Sequence, residues 1–267
     1  VAGWLVYDGL CRSPLGDHET LLAAVLLVLL TLTAYGLCQI FSGRAAYIHF
    51  GAMLGTIMVA NVFFVIIPGQ RELVTAKEQG RDPDPTPGLK GRQRSVHNTY
   101  FTLPVLFTMI SNHYAMTYNH AYNWLILIAI SLAGALIRVY FVARHHDRNP
   151  LAPLVTAAVL LLGVTVVIAP RPVPLAASSG PVDFARVQGI VQARCAGCHA
   201  AVPSQPGFAA PPKGVMLDTP ERILAQAPLI HQQTVVSRAM PLGNLTGISE
   251  EERAALDRWF RAGAPGS

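Results

Sequence analysis

The sequence predicts an all-α protein, a multi-span transmembrane helical bundle followed by a small polar helical domain. Three observations predict it. Of the 267 residues, 52% are hydrophobic and 13% charged, whereas a soluble domain carries about 25% charged residues. Five stretches come near the roughly 20 apolar residues a bilayer requires. Beyond residue 181 the composition becomes ordinary, with helical periodicity and no strand-like alternation. A mean hydropathy of +0.39 excludes disorder. The net charge of +5 does not point to nucleic acid. Most Lys and Arg lie beside apolar runs, where membrane topology accounts for them, and no basic patch is interleaved with aromatics. Lipid is the expected surroundings, and nucleic acid is not an expected partner.

The elements follow in chain order. VAGWLVYDGL reads as the end of an apolar helix, without an initiator Met or a signal peptide, so the expectation is a chain shortened at its N-terminus. Segments 21–41 and 151–169 are spans without charge, 45–67 carries His49, and 122–142 carries Arg138 near its end. Segment 99–118 is the weakest span. It holds Tyr100, Pro104, Asn112 and His113, so it must face the bundle interior. Between 68 and 98 the chain reads as a loop with Arg71, Lys77, Arg81, Lys90, Arg92 and Arg94, and RDPDPTPGLKG at 81–91 reads as turn-rich. The positive-inside rule makes this loop cytoplasmic, so 151–169 exits on the outer side. The expected domains are 1–169 in the membrane, a Pro- and Ser-containing linker at 170–181, and 182–267. In the last, 184–194 and 249–262 read as amphipathic helices, the second opened by a Ser249/Glu252 capping box. Residues 219–238 also read as helix, interrupted at Pro228.

Cys195-Ala196-Gly197-Cys198-His199 is C-x-x-C-H, the attachment pattern of c-type haem. Two thiols on one tight turn form thioethers, and the next residue offers an imidazole to the iron. His199 is therefore the expected proximal ligand, and the domain is expected to be a class I-like cytochrome c with one covalent haem c. Met240, followed by Pro241, is the leading candidate for the sixth ligand, and Met216 is its competitor.

Imposing the topology gathers polar residues at two ends. Gln70, Arg71, Arg94, His97, Asn98 and Tyr100 fall at the cytoplasmic end, and His49, Asn112, His113, Tyr114 and His120 at the outer end, which offers no cation near His49 or His113. His97 and His113 are separated by about 24 Å of helix, at about 1.5 Å per residue.

The stretch His97-Asn98-Thr99-Tyr100-Phe101-Thr102-Leu103-Pro104-Val105-Leu106, running on to Met109-Ile110-Ser111-Asn112-His113-Tyr114, resembles the bacterial membrane-bound urate oxidases with a fused cytochrome c. Segments 208–216 and 238–247 resemble that family's haem domain, and Gly3–Leu10 its membrane domain. The resemblance implies oxidation of urate to 5-hydroxyisourate, with electrons passing to the fused haem and then to a downstream cytochrome or oxidase. It implies the bacterial inner membrane, with the cytochrome domain in the periplasm. The family begins with further helices, consistent with the expected shortening. Urate is anionic, so Arg71 or Arg94 is expected to hold it through paired hydrogen bonds. His97 is the expected base, with Asn98 and Tyr100 orienting the purine or an attacking water. Urate bound at the cytoplasmic cluster would favour a second carrier, haem b, with His49 and His113 as candidate ligands. The competing reading is a membrane-anchored cytochrome c serving a separate dehydrogenase.

Overall fold

The computed structural model describes residues 1–169 and 182–266. The chain forms two compact units, Val1–Ala169 and Pro170–Ser267. The linker assigned to 170–181 lies outside the described residues. Among those described, all regular structure is helical.

The first unit contains α1 (Ala2–Arg12), α2 (Glu19–Ile40), α3 (Gly43–Asn61), α4 (Ile67–Glu78), α5 (Pro85–Ile110), the single turn α6 (Ala115–Tyr118), α7 (Asn123–Arg144) and α8 (Leu151–Ile168). Four helical stretches are long and apolar enough to cross a membrane: Glu19–Ile40, Gly43–Glu78, Asn123–Arg144 and Leu151–Ile168. The second of these joins α3 to α4 through a π-helical turn at Val62–Ile66. Its 36 residues would reach about 54 Å at about 1.5 Å per residue, well beyond the roughly 30 Å of hydrocarbon.

The expected span at 99–118 takes a different form. It is the second half of α5, which ends at Ile110, and it is not among the four apolar helices. The expected loop at 68–98 is mostly helix, so the turn-rich reading of 81–91 is corrected. Asp84 caps α5, its carboxylate accepting from Thr86 N at 2.9 Å. Pro85 follows at the first helical position, where its missing N–H costs nothing and its fixed φ suits the helix. α5 is the hub of the unit, packed on α3, α4 and α7, while α7 also packs on α8 and α2.

Small residues permit the close approaches. Gly51 on α3 lies against Thr108 on α5, and a Cβ there would overlap the threonine hydroxyl. A Cβ on Gly134 of α7 would stand 3.0 Å from Leu103 Cβ. Such contacts are how helices pack where lipid removes the hydrophobic drive between them.

The second unit comprises α9 (Phe184–Arg194), α10 (Pro220–Ala225), α11 (Ala227–His231) and α12 (Glu250–Arg261). Asp183 caps α9, and the Ser249/Glu252 capping box opens α12 as its sequence predicts. The 219–238 stretch breaks at Gln226 and continues past α11 as a π-turn, Gln232–Val236. The core gathers Val187, Val191, Ile223, Leu256 and Trp259, with the Phe184 and Trp259 rings 6.1 Å apart. Burying each such aliphatic side chain contributes about 1.5–3 kcal/mol.

Gly51→Ala should destabilise the first unit by about 1–3 kcal/mol, because α3 and α5 must separate. Gly55→Ala, with nothing within 4 Å of its new Cβ, should be neutral or stabilising by up to about 1 kcal/mol. Thermal unfolding midpoints of the two detergent-solubilised variants test the contrast.

Candidate functional site

On α5, Arg94, His97 and Asn98 follow the i, i+3, i+4 spacing that shares one helix face. Two other helices meet that face. Tyr7 and Asp8 come from α1, and Asn61 from the last position of α3. Arg94 Nη2 donates to Asp8 Oδ1 at 2.8 Å, and Arg12 Nε donates to Asp8 Oδ2 at 2.6 Å. The Arg94 guanidinium stands 4.8 Å from the centre of the Tyr7 ring, a cation–π contact. Tyr7 Oη lies 2.7 Å from His97 Nδ1 and accepts from Asn61 Nδ2 at 3.2 Å. Asn61 Nδ2 also donates to Asn98 Oδ1 at 2.9 Å, and Asn98 Nδ2 donates to the Met58 carbonyl at 3.0 Å.

Two atoms of this network are buried without a hydrogen-bond partner, Arg94 Nη1 and Asn61 Oδ1. Arg94 is 3% exposed and Asn61 fully buried. One orphan is a cationic donor and the other a neutral acceptor, the complement of an anion that also carries N–H groups. Arg94 lines a cavity of about 230 Å³ together with Arg12, Lys90 and Gln93. A cavity of about 1060 Å³ shares Arg12, Lys90 and Gln93 and adds Tyr100, His146 and Arg148.

The structure therefore brings together Arg94, His97 and Asn98. It places Arg71 exposed on α4, outside the network, and Tyr100 on the wall of the larger cavity. Tyr7, Asp8 and Asn61 were not expected in the site. A signal for two of them lay in the sequence, a carboxylate in VAGWLVYDGL and an amide within the apolar run 45–67; polar residues in such segments mark function. At the opposite end, His49 is exposed, stacked on Phe41 at 4.6 Å, with Nδ1 2.8 Å from the Ala45 carbonyl. His113 is exposed too. The expectation of no cation near them is corrected, because Arg44 Nε donates to Asn112 Oδ1 at 3.0 Å, beside His113.

In the second unit, Cys195 ends α9 and the next residues turn tightly, Cys198 N and His199 N both donating to the Cys195 carbonyl. Burial pushes the Cys195 thiol up to about 12 and raises that of Cys198. Reactive C-x-x-C pairs and thiolate metal ligands need the opposite shift. Among the described residues no group of three or more His, Cys, Asp or Glu could hold a metal ion. His199 Nδ1 lies 3.0 Å from the Val215 carbonyl, which can only accept, so Nδ1 carries the hydrogen and Nε2 keeps its lone pair. That is the form in which histidine ligates a metal.

Met240 sits in a loop held from two directions. Its N–H donates to Gln233 O at 3.0 Å, and its carbonyl accepts from Arg253 Nη1 at 3.1 Å. Arg253, buried on α12, also donates to the Thr234 carbonyl. Arg194 Nη1 donates to Thr246 O at 2.6 Å, while Thr246 Oγ1 donates back to Arg194 O at 2.8 Å. Met216 lies differently. Val215 O accepts from His199 Nδ1, and Leu217 N donates to His199 O, so its segment runs directly beside His199.

The first unit is a helical bundle with helices able to cross a membrane and a buried, cation-bearing polar cluster. A family model described as urate oxidase N-terminal matches residues 1–169, and the chain belongs to that family. Comparison with curated proteins and with solved structures found no match.

Asp8→Asn should cost about 3–5 kcal/mol, since it leaves Arg94 buried without its counter-charge. Adding Arg94→Met to that variant should recover much of the loss. Unfolding of the single and double variants in detergent checks both.

Proposed function

We propose that this chain is a membrane-bound urate oxidase that passes electrons from urate to a haem c on its own C-terminal unit. The observation that carries the reading is covalent. One chain joins the family-matched unit to a C-x-x-C-H turn whose histidine keeps Nε2 free. The balanced reaction is urate plus water giving 5-hydroxyisourate, two protons and two electrons. A haem c bound through Cys195, Cys198 and His199 would accept those electrons singly, so urate is oxidised in two successive transfers.

Arg94 is the residue proposed to hold the urate anion, with Lys90 and Arg12 in the same cavity wall. Arg94 Nη1 supplies the unspent donor, and Asn61 Oδ1 the acceptor for a purine N–H. Burial in a bundle strengthens both interactions and excludes bulk water. The basic end of the unit is assigned to the cytoplasm by its charge, and the haem-bearing unit to the periplasm of a bacterial inner membrane. Electrons then leave to a downstream cytochrome or oxidase.

Met240 is proposed as the sixth ligand. The segment holding Met216 is bonded to His199 itself, whereas Met240 lies on a separately held loop and would be the residue free to complete the ligand set of a haem. The Arg253 contact to the Met240 carbonyl makes Arg253 the residue that positions this loop.

Urate added anaerobically to the full chain in membranes should reduce the haem c absorption band. A haem that stays oxidised, though reducible by dithionite, would overturn the reading in favour of a cytochrome serving another dehydrogenase. Cys195→Ala with Cys198→Ala should abolish haem staining on denaturing gels. Met240→His should keep the stain but lower the reduction potential, because thioether ligation favours reduced iron, while Met216→Leu should leave the potential nearly unchanged in a redox titration.

A further inference from the structure

The polar network fixes the direction of every hydrogen bond leading to His97. The Met58 carbonyl can only accept, so the Asn98 atom 3.0 Å from it is the amide nitrogen. Asn98 Oδ1 is then an acceptor, which the Asn61 Nδ2 hydrogen meets at 2.9 Å. The other Asn61 Nδ2 hydrogen goes to Tyr7 Oη at 3.2 Å. Both hydrogens of that amide are thereby committed. Tyr7 accepts from Asn61 and still has its own hydrogen to give. Arg94, against its ring, has only donors. The Cys11 thiol also reaches Tyr7, but sulfur is a weak acceptor, so His97 Nδ1, at 2.7 Å, takes the hydrogen. A neutral imidazole whose Nδ1 accepts carries its hydrogen on Nε2.

We propose that Tyr7 is a positioning residue that fixes His97 as the Nε2–H tautomer, so that His97 meets the anionic substrate as a hydrogen-bond donor and not as the group that takes its proton. The substrate half of this inference rests on the urate reading above; the tautomer half does not. It replaces the sequence expectation of His97 as base. Among the described residues no protein group is bonded to Nε2, which leaves that hydrogen for a ligand. An Nε2–H donor and the unspent Arg94 Nη1 both suit a delocalised purine anion. The two protons released in the oxidation must then leave by other acceptors, such as water in the cavity that Arg94 lines.

The tautomer is read without urate. The full chain, labelled with ring-15N histidine and held in lipid nanodiscs, is compared with His97→Gln to identify the His97 signals. Unprotonated Nδ1 and protonated Nε2 are expected, with the preference lost in Tyr7→Phe. A protonated Nδ1 in the wild type, or an unchanged ring in Tyr7→Phe, would overturn the proposal. Urate affinity by equilibrium dialysis tests the donor role. A glutamine amide nitrogen reaches the Nε2 position and an asparagine amide falls short of it. His97→Gln should therefore bind urate about tenfold or more tightly than His97→Asn. Equal affinities in the two variants would overturn the donor role. A wild type that binds no urate would overturn that role together with the proposed function, while the nitrogen signals would still decide the tautomer.

Discussion

The buried pair of Asp8 and Arg94 is the constraint around which the first unit is arranged. Carrying a guanidinium into a helical bundle costs several kcal/mol unless an anion and further hydrogen bonds accompany it. α5 brings the cation, and α1 must bring the carboxylate. α1 is short and many of its side chains are exposed, so this polar contact helps to seat it alongside the packing of Trp4 on Phe64. Once α1 is seated, Tyr7 falls between Arg94 and His97, and Asn61 closes the network from α3. Three helices are thus registered against one another by a handful of atoms. A buried network is unforgiving in that way, since each member left unsatisfied costs free energy.

Two histidines illustrate how a neighbour sets the chemistry of the same side chain. His199 faces a carbonyl, which obliges Nδ1 to donate and frees the Nε2 lone pair. His97 faces a hydroxyl whose hydrogen has nowhere better to go, which obliges Nδ1 to accept. The first arrangement suits an iron, the second an anion. In each neutral ring the assignment turns on which partner is able to reverse its role.

The apolar helices were legible because a bilayer demands an uninterrupted run of about 20 residues, a long signal. The Ser249/Glu252 capping box was legible because its partners are three residues apart. The C-x-x-C-H turn was legible for the same reason of locality. The start of α5 was misread because Pro and Gly punctuate loops, yet Asp84 followed by Pro85 is equally the opening of a helix. The network was only half legible. Arg94, His97 and Asn98 share one helical face and announce themselves together. Tyr7 is 90 positions from His97 and Asn61 37 from Asn98, separations that no local pattern encodes. Arg71 looked equivalent to Arg94 in sequence, but the turn of α4 leaves it exposed.

The π-turn at Val62–Ile66 follows directly on Asn61. Such a turn accommodates one more residue than an α-helix would, so everything beyond it is rotated by about 100° relative to an uninterrupted helix. Asn61 lies before it and Pro68 and Gly69 beyond it, the first bound to Tyr7 and Asn98, the other two lining the cavity that holds Arg94. The extra residue thus works as a phase shifter. It lets one continuous helix present an amide to the buried network and, less than two turns later, a different flank to the cavity. A single-residue deletion there would force a choice between the two, however well the altered segment still crossed the lipid.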